Sequence, residues 1–195
     1  MYNWKEVLDY INGEIAGMSF ERQPAELYEP IRYVLSMGGK RIRPVLMLMA
    51  YNLYKEKVEE IGSQAVAIEI YHNYTLLHDD LMDRADMRRG MVTVHKKWDD
   101  NAAILSGDSM LVMAYRYMQQ GCPAEHLGDV MSLFTETALE IGEGQQYDME
   151  FEARADVSEE EYIEMIRLKT SVLLACALKI GAWLGGAPRQ DAELL

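Results

Sequence analysis

Three carboxylates lie close together in one short segment of the sequence. Asp79, Asp80 and Asp83 all fall within His78-Asp79-Asp80-Leu81-Met82-Asp83. Residues four positions apart are neighbours on a helix, so Asp79 and Asp83 would place their carboxylates side by side. Such a group repels itself in water and becomes favourable when a hard cation binds, and Mg²⁺ takes carboxylates together with substrate phosphate oxygens. Taken alone, the segment could equally be a solvated acidic helix end.

Two short basic segments indicate where a phosphate would bind. One is Gly38-Gly39-Lys40-Arg41-Ile42-Arg43-Pro44, and the other is Arg88-Arg89-Gly90, with Arg84 shortly before it. Glycine beside Lys and Arg lets the backbone approach a phosphate, and a guanidinium group matches phosphate oxygens in pairs. Each segment alone could be a solvated turn. Together with the carboxylates, they predict a site for a diphosphate and its metal ion.

Two further polar positions interrupt otherwise apolar helical patterns. His72 is seven residues before Asp79, which places it on about the same helix face two turns earlier. Lys169-Thr170 falls between Ile166 and the apolar run that begins at Val172. A cation and a hydroxyl group there would suit a diphosphate at the mouth of a pocket. A core histidine and a lysine whose stem lies along the helix surface are the alternatives.

The composition of the chain argues against nucleic acid and anionic lipid as general binding partners. The formal charge is 19 − 32 = −13, and 49% of the residues are apolar. Such an acidic chain is a poor general binder of nucleic acid or anionic lipid, because its field repels phosphate backbones. The two cysteines give no disulfide framework, so we expect a reducing, cytoplasmic setting, and no signal peptide is apparent. The apolar stretch 172–187 predicts a buried helix rather than a membrane span.

The elements that would position these residues are helices. Apolar residues recur at three- and four-residue spacing, as at Trp4, Val7, Ile11 and Ile15 on one expected helix face, strand signals are almost absent, and Pro and Gly separate long helical patterns. Residues 84–94 are predicted to be a polar loop, and Ser158 with Glu161 matches a capping box. We expect one all-α domain over residues 1–195, whose last residues begin a new helix, so that the chain is the N-terminal portion of a longer bundle with its C-terminal helices missing. The predicted helices cover about 4–15, 24–37, 42–55, 61–83, 99–120, 125–151 and 158–184.

The motifs, in this order and spacing, resemble those of the trans-isoprenyl diphosphate synthases, the polyprenyl synthetases. The resemblance extends from about Gly38 to Ala187 and includes two further segments, Leu105 to Leu111 and Gln145-Gln146-Tyr147-Asp148. It implies a bundle of long helices around a deep apolar cavity, in a protein that is usually a homodimer.

The resemblance also implies a role for each matching residue. Asp79, Asp80 and Asp83 would hold Mg²⁺ that bridges to an allylic diphosphate. The allylic diphosphate itself would be bound by Arg88, Lys169, Thr170 and Gln145. The diphosphate of isopentenyl diphosphate would be bound by Lys40, Arg43, His72 and Arg89. The allylic C–O bond would then ionise, the double bond of isopentenyl diphosphate would attack the cation, and a proton would be lost, without a protein nucleophile.

Product length is also implied by the resemblance. Tyr74 and Thr75 lie five and four residues before Asp79, where bulk forms the floor of the cavity in this family. A large Tyr74 therefore predicts a short product, farnesyl or geranylgeranyl diphosphate. One feature of the family is missing, since no second aspartate-rich motif follows Lys169-Thr170 before the sequence stops.

Two other functions remain open at this point. His78-Asp79 could belong to a helical metal-dependent phosphohydrolase, which would need further histidine ligands such as His95 or His126, although their spacing offers no support. The chain could also be a non-catalytic subunit of a heteromeric prenyl synthase. Such a subunit would be expected to lose its metal or diphosphate residues, whereas this chain keeps both.

Overall fold

Helices make up most of the structure, a computed structural model that describes residues 1–194. A 3₁₀ turn at Val58–Ile61 precedes the fourth helix, a π-turn at Arg167–Ser171 separates the eighth from the ninth, and β1 (Met87–Arg88) and β2 (Met91–Val92) form a hairpin. The all-α fold class is confirmed. The helices are α1 (Trp4–Ala16), α2 (Ala25–Ser36), α3 (Ile42–Asn52), α4 (Gly62–Met82), α5 (Val94–Lys97), α6 (Asp100–Gln119), α7 (Ala124–Glu152), α8 (Glu159–Ile166), α9 (Val172–Gly185) and α10 (Arg189–Ala192).

Side-chain caps fix where several helices begin. Asn3 and Glu6 form a capping box at α1, and Ser158 and Glu161 form the predicted one at α8. Asp99 caps α6 by accepting a hydrogen bond from the amide of Ala102 at 2.7 Å. Each cap satisfies amide groups that the first helical turn leaves without partners. Polar side chains thus fix the starting points of these three helices.

The core surrounds α4, which is buried along most of its length and contacts α3 and α6. One hydrophobic cluster includes residues from α1 to α9, with Tyr51 and Phe134 among its largest fully buried side chains. In α1, Val7, Ile11 and Ile15 are buried as the spacing predicts. Trp4, which was expected on the same face, is 41% exposed because it lies in the first turn, at the edge of the bundle.

The segment predicted to be a loop contains regular secondary structure. Residues 84–94 contain the β1–β2 hairpin, and α5 follows directly after Thr93. Arg89 and Gly90, at its turn, have φ angles of 52° and 78°. Positive φ at both central residues is the geometry of the two-residue turns that match strand twist. Two-residue strands are too short to give an alternating pattern, which is why the sequence did not predict them.

Helix α9 is buried in the core, as predicted. The continuous helical segment Glu159–Gly185 is long and apolar enough, by length and composition, to cross a membrane, yet 56% of its most apolar window is buried inside the protein. That is typical of a core helix. The last residues do begin a short helix, α10, which ends at Ala192, and Leu195 lies outside the described residues.

Candidate active site

A cavity of about 350 Å³ lies between α4, α7 and the π-turn. Tyr71, Leu76, Ile141, Met149 and Leu173 give it an apolar wall. Eight of the residues predicted from the sequence to form the site also line it: Arg43, His72, Tyr74, Thr75, Asp79, Gln145, Lys169 and Thr170.

Asp79 lies where α4, α7 and the π-turn meet. Lys169 Nζ donates to Asp79 Oδ1 at 3.1 Å and to Asp148 Oδ2 at 2.5 Å. Burial lowers the pKa of the Lys169 ammonium group, but the hydrogen bonds to Asp148 and Asp79 outweigh burial and raise the pKa overall. Lys169 therefore stays protonated and joins two carboxylates from different helices.

Asp80 is paired with an arginine of the β1–β2 hairpin. The residue is 5% exposed, and both of its carboxylate oxygens accept hydrogen bonds from Arg88 Nε at 2.8 Å. Arg88 also lies 3.4 Å from Asp79 Oδ2. Burial raises the pKa of Asp80, while Arg88 opposes the shift. In this arrangement Asp80 holds the β1 arginine against the end of α4, and its predicted role as a metal ligand stays a prediction.

The donor set at the end of α4 suits Mg²⁺. Among residues 1–194, no three Asp, Glu, His or Cys side chains converge in a ready-made metal site. Asp79 and Asp83 nevertheless lie one helical turn apart. Mg²⁺ is commonly bound through one or two carboxylates, with water and substrate phosphate oxygens as the other ligands. The two carboxylates therefore fit a magnesium ion that arrives with a diphosphate.

A second cavity, of about 500 Å³, is lined by cationic groups. It brings together Lys40, Arg43, His72 and Arg89, the four residues predicted to bind the second diphosphate. Arg43 and His72 line both cavities, so the two are neighbours. Arg89 is held in place because its guanidinium group donates to the carbonyl oxygen of Gly38. The hairpin thus contributes Arg89 and the α2–α3 loop contributes Lys40 to this second cavity, the cationic cradle.

His72 is neutral in this cradle. Burial, followed by the charges of Arg43, Arg89, Arg88 and Arg41, lowers its pKa to about 3. Its Nε2 lies 3.2 Å from Arg43 Nη1, which suits a neutral ring whose Nε2 accepts a hydrogen bond. Two buried donors of residues that line the first cavity, Arg43 Nε and Gln145 Nε2, have no hydrogen-bond partner among the described residues. Because buried polar groups are nearly always paired, these donors favour an anionic ligand.

Buried polar side chains next to the cradle form a network of hydrogen bonds. Arg41 donates to Glu69 at 2.5 Å and to the carbonyl oxygen of Leu35 at 2.9 Å. Glu69 also accepts from Asn73 at 2.9 Å. Arg41 has a φ of 49°, in the left-handed region that costs a non-glycine residue free energy. The network holds the basic loop on α4 in one conformation.

Aromatic rings form one wall of the first cavity. Tyr74 packs on His78 and on Tyr71, with ring centroids 4.9 and 5.4 Å apart, and Tyr71 packs on Phe134 at 5.3 Å. Thr75 lines the same cavity, and its hydroxyl donates to the carbonyl oxygen of His72 at 2.8 Å. Contacts with the rings of His78 and Tyr71 therefore restrict the movement of the Tyr74 side chain.

Sequence reasoning gave no role to three residues of this site. Asp148 was part of a matching segment only, and Glu69 and Asn73 were not singled out. Asp148 is three positions after Gln145 and therefore lies on the same helix face. This spacing is the one sequence signal that indicates a place for Asp148 in the site. Nothing local in the sequence marks Glu69, since its partner Arg41 is 28 residues away.

The histidines required by a phosphohydrolase are not assembled. His95 is buried in α5, with neither ring nitrogen paired within the described chain, and His126 lies near the start of α7. Neither lines the cavity that contains Asp79. The arrangement defines a helical domain with two adjacent cavities, one mainly apolar with Asp79 and Lys169 in its lining and the other lined by cationic groups.

Comparison with known proteins identifies the family. The polyprenyl synthetase family model matches residues 24–195. The chain is 46% identical over 175 residues to the geranylgeranyl diphosphate synthase of Methanosarcina mazei, covering 89% of this chain and 54% of that protein. It is 38% identical to the geranylfarnesyl diphosphate synthase of Natronomonas pharaonis, covering 96% and 60%. A crystal structure of a geranylgeranyl pyrophosphate synthase superposes with a TM-score of 0.94 at 46% identity, over 100% of this chain and 59% of that one.

The chain belongs to the polyprenyl synthetase family. The match to its family model covers both basic segments, the three aspartates and Lys169-Thr170. The chain spans 54% and 60% of the length of the two curated relatives.

Proposed function

We propose that the protein containing this chain is a short-chain prenyltransferase that condenses isopentenyl diphosphate with an allylic diphosphate. The observation that carries the proposal is the pair of adjacent cavities. One has an apolar wall with Asp79 and Lys169 at its polar end, and the other is cationic. Arg43 and His72 line both, so two diphosphate groups would bind side by side with their hydrocarbon parts close together.

Each cavity would bind one substrate. The allylic diphosphate would lie at Lys169, Thr170, Arg88 and Gln145, with its chain along the apolar wall. The diphosphate of isopentenyl diphosphate would lie in the cradle formed by Lys40, Arg43, His72 and Arg89. The cationic side chains stabilise negative charge that develops on the departing diphosphate, and fixed positions for both substrates reduce the entropic cost of the encounter.

Magnesium is the cofactor in this proposal. Asp79 and Asp83 would hold it, and bound Mg²⁺ neutralises charge on the diphosphate and makes it a better leaving group. Asp80 would act through Arg88, which it holds near Asp79. The apolar wall keeps water away from the reacting carbon atoms.

The product would be short, farnesyl or geranylgeranyl diphosphate. Tyr74 lines the cavity and packs on His78 and Tyr71, so its ring would limit the length of the bound chain. Two of the similar proteins are named as geranylgeranyl and geranylfarnesyl diphosphate synthases, which favours geranylgeranyl diphosphate over farnesyl diphosphate. We also propose that the protein is cytoplasmic and works as a homodimer.

The test is a product assay on the full-length protein. The protein is incubated with Mg²⁺, isopentenyl diphosphate and either dimethylallyl, geranyl or farnesyl diphosphate, and the products are identified by chromatography. A C₁₅ or C₂₀ product that requires both substrates and is abolished by chelation with EDTA is expected. Release of inorganic phosphate without isopentenyl diphosphate, and no condensation product, would contradict the proposal.

A further inference from the structure

Lys169 and Thr170 lie in a wide turn of the helix. The segment Arg167–Ser171 is π-helical, between α8 and α9. A π-turn contains one more residue than an α-turn, so it shifts the register of the helix that follows and turns nearby side chains in a new direction. The direction of Lys169 therefore depends on where this turn lies against its neighbour.

That neighbour is α7, and Gly144 is the residue that faces the turn. A Cβ atom at Gly144 would lie 2.8 Å from the carbonyl carbon of Leu168 and 2.8 Å from Lys169 Cα. Both are backbone atoms, so a side-chain rotation cannot relieve the contact. Gly128, in the same helix, has no atom within 4 Å of the equivalent position. Close approach is therefore specific to Gly144 and does not extend along the whole helix.

The consequence of this approach is seen at Lys169. Its Nζ reaches Asp148 on α7 at 2.5 Å and Asp79 on α4 at 3.1 Å. Ordinary contact between carbon atoms is about 3.5–4.0 Å, so a methyl group at position 144 would separate the π-turn from α7 by roughly 1 Å. A displacement of that size would break the double contact of Lys169.

We propose that Gly144 is a positioning residue of the allylic diphosphate site. Its missing side chain lets the π-turn lie directly on α7, and this contact aims Lys169 at Asp79 and Asp148 together. The inference rests on the proposed function, because its readout is condensation.

The test compares Gly144→Ala with Gly128→Ala in the full-length protein. Both substitutions raise helix propensity equally, and the structure gives an added methyl group a neighbour at position 144 only. For Gly144→Ala we expect a roughly 10- to 100-fold fall in kcat/KM for the allylic diphosphate, since a 1 Å displacement can cost about that much. The KM for isopentenyl diphosphate should not change, because none of the four residues of its cradle lies on α7 or on the π-turn, and Gly128→Ala should behave like the wild type.

A double-mutant cycle with Lys169→Ala separates positioning from a general structural effect. If Gly144 acts through Lys169, the double variant should be no slower than Lys169→Ala alone, whereas independent effects would multiply. Equal kinetics for Gly144→Ala and wild type, multiplied losses, or a Gly144→Ala protein that does not fold would each overturn the inference. A wild-type protein that forms no condensation product would instead contradict the proposed function.

Discussion

At the residue scale, the carboxylate of Asp79 is shared by two cations, Lys169 and Arg88. Asp79→Asn keeps the shape of the side chain but removes the charge that would bind Mg²⁺. We expect condensation to fall by at least about 100-fold, in the range found when one stabilising group at a reacting centre is removed. Asp83→Asn should have a similar effect. Product formation at saturating substrate is the measurement.

The matched control is Asp156→Asn, an exposed carboxylate whose partner is Arg154. It should leave condensation unchanged, because exposed ion pairs contribute little to stability. Circular dichroism spectra should be the same for all three variants. Turnover at the wild-type rate in Asp79→Asn would exclude the proposed metal role.

Product length is a second property that one residue should control. Tyr74→Ala removes a ring that lines the first cavity and packs on His78 and Tyr71. The longer cavity should accept further isopentenyl units, so the main product should grow by at least one C₅ unit. Tyr162→Ala, at an exposed tyrosine of α8, should leave the product unchanged. If reversed-phase chromatography gives the same product for Tyr74→Ala and wild type, Tyr74 does not form the floor.

His72 should make stability depend on pH. Its pKa is lowered to about 3 by burial and by Arg43, Arg89, Arg88 and Arg41, whereas an unfolded histidine has a pKa of about 6.5. Below pH 6.5 the unfolded chain therefore binds a proton that the folded chain does not bind. The stability contribution is complete above pH 6.5 and is lost as the pH falls toward 3.

His72→Gln should flatten this dependence by up to about 1.4 kcal/mol per pH unit between pH 6.5 and 3. Urea unfolding of wild type and variant at several pH values measures the difference. His126→Gln is the control, because His126 lies near the start of α7 and lines neither cavity. Parallel stability curves for wild type and His72→Gln would show that His72 is not buried neutral.

The family resemblance groups Lys40, Arg43, His72 and Arg89, which come from three separate segments, and the structure places all four around one cavity. Their binding of a diphosphate stays a prediction. Asp80 was grouped with Asp79 and Asp83 because of its position in the sequence. Its pairing with Arg88 depends on the hairpin, which no periodicity in the sequence predicts.

At the element scale, close backbone contacts hold α9 against α3. A Cβ atom at Gly181 would lie 2.9 Å from the carbonyl carbon of Met47 and 3.1 Å from its Cα atom. Gly181→Ala should force the two helices apart and destabilise the protein by about 1–3 kcal/mol, the usual cost of overpacking a core. Gly128→Ala, which adds a methyl group in open space, should be neutral or slightly stabilising. Urea midpoints measure both, and an unchanged midpoint for Gly181→Ala would mean that the helices can adjust without cost.

Helix boundaries were predictable where a cap or a glycine marks them. Ser158 with Glu161 predicts the start of α8, and the predicted helix 24–37 agrees with α2 to within one residue at each end. The end of α3 was wrong by three residues, since the helix stops at Asn52 instead of about Lys55. There Asn52 Nδ2 donates to the carbonyl oxygens of Lys55 and Glu56 and stabilises a turn. The sequence predicts a polar interruption at Lys169-Thr170 but not its π geometry, and the close approach of Gly144 to this turn joins residues that are distant in sequence.

At the scale of the whole molecule, α6 leaves an apolar stripe uncovered. Leu105 is 59% exposed and Val112 is 69% exposed, although α6 is otherwise packed against α4 and α2. Exposed apolar patches are typical of interfaces, and a second copy of the chain would cover this one in the homodimer that we propose.

Leu105→Glu with Val112→Glu should place like charges across that interface and give a monomer. Light scattering coupled to size-exclusion chromatography should then report half the wild-type mass, while Leu53→Glu, at an exposed leucine after α3, should keep the dimer. A wild-type monomer, or a dimer that survives both α6 substitutions, would contradict this arrangement.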